Sequence, residues 1–305
     1  MTDIEFRKKR FFNIYRQNPN KIMRISPLIL FGHVGLHPMA GLKSAVSEYL
    51  EKSAVISGLS NQWEQSAGDI LNMENITPNG MVVPKSYNQV EYNRVVYCLY
   101  KLIEHCGLAK NTQITKWSIV PNIRVKASKI EKDGMLSRDT EYPHSDCWSG
   151  VPTNYATFHL SLFGDVSSNC LSFFVPKETF RDKYLCPIKN YGLGQKYLEH
   201  YDKISFTTGM LDNTWYIFDA SILHSTTILP LVSSYGYRVS IDMQIVIADS
   251  PDVIYGETDR DESTYTIEEF SEIGMSKIIS FDHGIGEREP NPSKNSARNL
   301  SIIDT

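Results

Sequence analysis

From residue 115 onward the chain falls into short runs rich in β-branched and aromatic residues, at 116–123, 155–163, 170–175, 204–208, 214–219 and 237–246. Several alternate apolar with polar at period two, and Gly, Asp, Asn and Ser punctuate them, as in Gly164-Asp-Val-Ser-Ser-Asn169. This pattern favours a twisted antiparallel arrangement over a parallel one. A mainly β fold with flanking helices is expected, built on a double-stranded β-helix, a jelly-roll or cupin-like core whose mouth admits a ligand. Residues 177–201, with Gly192 and Gly194, interrupt the strands and read as an insertion near that mouth.

The first third has a different texture. Leu42, Val46, Tyr49 and Leu50 recur at helical spacing within 39–55, as do Val90, Val95, Leu99, Leu102 and Ile103 within 87–108, where Gly107 is a stop signal. Three regions are therefore expected: a helical region over 1–114 packed on the core, a core over 115–249, and an extension over 250–305. In the extension, 250–262 is acidic, 266–279 has room for a short helix and 291–299 reads as a flexible tail.

Within the core, His144 and Asp146 stand two apart in Glu141-Tyr-Pro-His-Ser-Asp-Cys-Trp148. In an extended segment both side chains point the same way. With His224, at the rim of the apolar run that begins at Trp215, they make two imidazoles and one carboxylate. That donor set can hold one face of a divalent iron and leave the other open. The bare triplet is weak, since short polar patterns arise by chance. Arg238, fourteen residues past His224, strengthens it. A guanidinium on an apolar strand is costly to bury unless an anion meets it, and its fork suits a carboxylate in two-point contact. Ser240 shares its face. The plainer alternative is an ordinary buried ion pair with Asp242.

Composition narrows the classes. The 305 residues are 41% hydrophobic with a formal net charge of −4, and no basic run interleaved with aromatics marks a nucleic-acid groove. A small-molecule substrate is expected, with no nucleic-acid and no membrane partner. The apolar stretch near 25–36 is broken by Pro27, Gly32 and His33 and falls short of the roughly 20 residues of a span. Five cysteines without Cys-x-x-Cys spacing suit a reducing cytoplasm rather than a disulfide framework.

Four blocks, in this order, resemble the iron(II)- and 2-oxoglutarate-dependent dioxygenases, in particular the branch similar to phytanoyl-CoA hydroxylase. They are Tyr142-Pro-His-Ser-Asp-Cys-Trp148, Asn169-Cys-Leu-Ser-Phe-Phe-Val-Pro176, residues 209–224 and Arg238-Val-Ser240. Cys170 stands where that branch commonly has Gly, and Lys177-Glu-Thr replaces its Gly-Ser-His. The resemblance implies that His144, Asp146 and His224 bind iron and that Arg238 with Ser240 holds the distal carboxylate of 2-oxoglutarate. Oxidative decarboxylation of the keto acid by O2 would then release succinate and carbon dioxide, with hydroxylation, desaturation or ring closure of a small metabolite. An Asp at position 146 argues against a halogenase, which needs that ligand position vacant.

Further residues have two readings each. Thr157 is a candidate contact to 2-oxoglutarate, with His159 on the same face, and Trp148 a candidate wall for substrate; packing explains all three equally well. Asp219 could orient a ligand imidazole or simply close a turn. His33 and His37 flank Gly and Pro, unsuited to a helix that would align them, and His105, His200 and His283 read as solvated or structural. A cupin-like isomerase or sensor and a zinc hydrolase remain open as other uses of the same triad.

Overall fold

The computed structural model describes residues 2–56, 73, 75–77, 79–128, 140–204, 213–229, 236–249, 254–256, 264–281 and 300–304. Helix α1 (Asp3–Arg16) begins with a capping box, Thr2 and Glu5 each accepting from the other's backbone amide. It leads to a hairpin, β1 (Met23–Ser26) and β2 (Ile29–His33), and to helix α2 (Leu36–Ile56). Next come β3 (Met81–Val82), helix α3 (Gln89–His105), β4 (Ile114–Ser118), β5 (Asn122–Ala127), β6 (Tyr155–Gly164) and β7 (Asn169–Pro176). The remaining elements are β8 (Tyr201–Ile204), β9 (Thr214–Asp219), β10 (Leu223–Ile228), β11 (Tyr237–Ile247), β12 (Thr264–Tyr265), helix α4 (Ile267–Glu272), β13 (Lys277–Phe281) and β14 (Leu300–Asp304).

Among the described residues every pairing between strands is antiparallel. The large sheet runs β1-β2-β9-β6-β11-β4-β12, with β5 beside the first half of β11 and β3 beside β5. A smaller sheet runs β10-β7-β8. The expected strand at 116–123 is two strands, because Pro121 cannot donate to a ladder and the chain steps from the end of β11 to its beginning there. The hairpin β1–β2 places strands in the first third as well, through pairing of β2 with β9. Residues 205–208 of the expected run at 204–208, most of the acidic stretch and the whole of 291–299 lie outside the described residues.

Period two divides the large sheet into faces. Phe158, Leu160, Trp215, Ile217, Ile241 and Met243 are buried in one continuous core with the apolar faces of α2 and α3. Val90 is the exception to the helical pattern, at 78% exposed, because α3 begins only at Gln89 and its first turn projects past the core. On the opposite face, Phe218 meets Phe173 of the smaller sheet edge to face at 5.2 Å, with Tyr216 6.2 Å from the same ring. The polar residues of the sheet face the gap between the two layers.

The insertion winds into two 3-10 stretches, Asp182–Leu185 and Tyr191–His200. It is tied down by α1, whose fully buried Arg7 donates through Nε and Nη2 to Asp182 at 2.8 and 2.9 Å.

Candidate metal centre

The chain turns between β9 and β10. Ile222 N donates to Asp219 O at 2.9 Å and Ser221 N to Asp219 Oδ1 at 2.8 Å, so His224 sits on β10, across the fold from the strand that precedes it. The apolar run from Trp215 is therefore two strands in two sheets. The segment before Asp146 docks beside β10 through an isolated bridge, His144 N to His224 O at 3.0 Å and His224 N to His144 O at 2.9 Å, with Thr226 N donating to Thr140 O at 2.9 Å further back. Ser145 reinforces the rung, its hydroxyl donating to Ala220 O at 2.7 Å. Asp146 does not continue the extended run; it opens a 3-10 turn, Asp146–Ser149, which Ser145 caps and Gly150 ends at φ 101°. The turn, rather than strand alternation, brings its carboxylate beside the imidazoles.

One ligand atom from each of His144, Asp146 and His224 lies within 4.8 Å of the other two, and among the described residues no other metal-capable group of three forms. His144 Nδ1 is 2.8 Å from Tyr142 O, which as acceptor fixes the tautomer with Nε2 unprotonated. His224 Nε2 lies 3.8 Å from Asp146 Oδ1. The other carboxylate oxygen, Oδ2, accepts from Thr157 Oγ1 at 2.5 Å and Gln244 Nε2 at 3.2 Å. That leaves Oδ1 as the oxygen offered to a metal. Burial, then the neighbouring His224, depress His144 to about 3, and burial also lowers His224. Asp146 is held below the usual carboxylate range, the two imidazoles and the Thr157 and Gln244 hydrogen bonds outweighing its burial. At neutral pH the cluster thus offers two lone pairs and one negative charge, the donor chemistry of a divalent transition metal.

Arg238 and Ser240 line the same open cavity. Arg238 is 2% exposed; Nη1 donates to Asn169 O at 2.9 Å, and Nε has no partner among the described residues. The Ser240 hydroxyl is buried and has none among them either. The ion pair with Asp242 does not form. Arg124 takes that carboxylate instead, Nε to Oδ1 at 2.5 Å and Nη2 to Oδ2 at 3.4 Å, with Asn122 Nδ2 on Oδ2 at 2.7 Å. Burial lowers Arg238 to about 10, still protonated at neutral pH. A buried cation and a buried hydroxyl are thus left facing the metal-capable triad without an acceptor, which suits the carboxylate of a bound anion.

The other sequence candidates separate. Thr157 borders the cavity, with its hydroxyl on Asp146. His159 faces it as well, buried, its Nε2 3.3 Å from Ser161 Oγ, and burial with Arg238 keeps it neutral. Trp148 does not wall the cavity: fully buried, it donates to Tyr184 O at 2.8 Å and packs so closely on Gly194 that a Cβ there would lie 2.3 Å from its ring. Its role is to seat the insertion. Asp219 orients no imidazole; it accepts from Arg7 Nη1 at 2.8 Å and shapes the turn. His33 Nδ1 lies 3.0 Å from Thr214 Oγ1 and His200 stacks on Tyr184, whereas His283 lies outside the described residues.

Sequence reasoning missed Gln244, Arg124 and Tyr191. Gln244 was within reach, being six residues past Arg238 on the same face at period two. Tyr191, on the insertion, stacks on His144 with ring centroids 4.4 Å apart and planes 11° from parallel, a contact no local pattern announces.

No protein-family model matches the sequence, and no curated protein does. Solved structures do align. The non-heme alpha ketoglutarate dependent epimerase SnoN from nogalamycin biosynthesis aligns at 15% identity over 79% of this chain and 83% of its own, with a TM-score of 0.40. AviO1 from Streptomyces viridochromogenes Tue57 aligns at 13% identity over 83% and 99%, with a TM-score of 0.42. An N-substituted L-amino acid dioxygenase from Burkholderia ambifaria AMMD aligns at 9% over 75% and 85%, with a TM-score of 0.35. At this level of likeness none of their chemistry transfers to this chain, and none of the three is a phytanoyl-CoA hydroxylase by its description.

Proposed function

We propose that this chain is a non-haem iron(II)- and 2-oxoglutarate-dependent oxygenase of small metabolites, built on a double-stranded β-helix. The observation that carries the reading is the pairing, within one cavity, of a three-ligand metal site with a buried guanidinium that no carboxylate meets among the described residues. A bare metal-binding cupin has no use for the second feature. The strand layout supports it too, with β5, β11, β6 and β9 as one wall and β10, β7 and β8 as the other.

His144 Nε2, Asp146 Oδ1 and His224 would hold the iron, and Arg238 with Ser240 would receive the far carboxylate of the keto acid. When bound, iron and 2-oxoglutarate supply the oxidising chemistry, consuming O2 and releasing succinate and carbon dioxide. The chain's own contribution is position. Thr157 and Gln244 stop the Asp146 carboxylate from rotating, and Leu171 and Phe218 line the cavity between the polar groups. The three-part division at 114 and 249, a cytoplasmic location and the phytanoyl-CoA hydroxylase-like branch belong to the same proposal.

Anaerobic protein given ferrous iron and 2-oxoglutarate should develop a weak visible chelate band, and admitting oxygen should release succinate. Asp146→Ala should lose both. A wild-type protein that binds iron yet shows neither band nor succinate would return the site to the isomerase or sensor reading.

A further inference from the structure

Within the same cavity stands a second guanidinium whose setting is unlike that of Arg238. Arg124 projects from β5, beside Ser240 of β11, and its side chain is 27% exposed. Asp242 grips one edge of it through Nε and Nη2, and both Asp242 oxygens are then occupied, one by Nε and the other by Nη2 and Asn122. Asp242 thereby holds the guanidinium in place. The other edge, Nη1 with the second hydrogen of Nη2, has no protein acceptor among the described residues. Burial alone would lower the basicity of Arg124, yet Asp242 and then Asp146 raise it, which places the group in the electrostatic range of the metal-capable site.

In the open cavity water can serve that edge. A molecule that fills the mouth strips the water away and must bring its own acceptor, because a buried donor left unmatched is costly. The two parallel N–H bonds of a guanidinium edge match the two oxygens of a carboxylate. The keto acid does not need this position, since its far carboxylate has Arg238 and its near end has the metal. Resting on the oxygenase reading, we propose that Arg124 is the substrate-docking residue and that the primary substrate is a small carboxylic acid, held by its carboxylate next to the metal.

The test compares straight-chain and hydroxylated carboxylic acids with their primary amides and with phosphate monoesters of similar size. Saturation-transfer NMR on zinc-loaded protein should show binding by members of the acid set and not by their amides. Arg124→Met should reduce that binding at least tenfold, Arg124→Lys should retain part of it, and the KM for 2-oxoglutarate in succinate release without substrate should stay within about twofold. Acids and amides binding alike, phosphate esters alone binding, no acid binding, or acids binding equally to Arg124→Met would each overturn the assignment. So would a tenfold rise in the 2-oxoglutarate KM of Arg124→Met, which would give the residue to the co-substrate. Because the NMR signal needs no turnover, a protein that releases no succinate defeats the oxygenase reading without deciding this one.

Discussion

Arg7 and Arg238 are both buried, at 0% and 2% exposed, and their surroundings are opposite. Arg7, on α1, meets Asp182 and Asp219 and the Thr153 carbonyl, so every nitrogen has an acceptor. Burial works against its charge, but Asp219 and Asp182 prevail and raise its basicity above normal. Arg238 bonds one carbonyl and no acid among the described residues, and burial prevails. Arg7, which the chain itself neutralises, is part of the scaffold, whereas Arg238, left without a counter-ion at the wall of the cavity that holds the triad, is a place for a ligand.

Substitution by methionine sharpens the contrast, and the scaffold should suffer most. Arg7→Met leaves Asp219 buried without its cation and should cost about 3–5 kcal/mol of stability, read by urea unfolding. Arg238→Met should stay within about 1 kcal/mol of wild type without ligand, since it removes an unpaired buried charge together with one hydrogen bond. Equal losses in the two variants would abolish the distinction. Ligand reverses the order: 2-oxoglutarate at a hundred times its Kd should stabilise the iron-loaded wild type by about 2.7 kcal/mol. Arg238→Gln should weaken keto-acid binding roughly 10- to 100-fold, the loss of a charge-assisted hydrogen bond of about 1.5–3 kcal/mol, and leave metal affinity unchanged. Smallest, Thr157→Val should lower metal affinity about fivefold, near the 1 kcal/mol of one hydrogen bond, with 2-oxoglutarate affinity per loaded protein unaltered. A Thr157→Val effect on the keto acid instead would move that hydroxyl from Asp146 to the co-substrate.

The elements legible in the sequence are those whose own residues carry the period. Thr214–Asp219 has the expected bounds and Tyr237–Ile247 runs one residue further, because buried β-branched residues leave no other conformation that hides them. Met23–Ser26 and Ile29–His33 were not legible as strands, since Ile29–His33 joins the sheet through β9, nearly two hundred residues away, and Met23–Ser26 joins it only through Ile29–His33. At the site, Arg238 and Ser240 follow from strand alternation, and His144, Asp146 and His224 from residue type and order. Tyr191, Arg124 and the destiny of Asp219 depend on which elements pack together, and Asp219 in particular was claimed by an arginine more than two hundred positions upstream. Trp148 shows the reverse error: proximity in sequence to Asp146 suggested the mouth, and a glycine in the insertion drew the ring elsewhere.

The rung between His144 and His224 is the last backbone tie between its two stretches before the ligand atoms begin. An ion bound there would be the next cross-tie, fastening together two stretches of chain that peptide groups join at His144–His224 and at Thr140–Thr226. Loading the site would then shut the margin of the smaller sheet like a clasp. The amide protons of these two histidines are the atoms whose exchange with solvent should slow when the clasp closes.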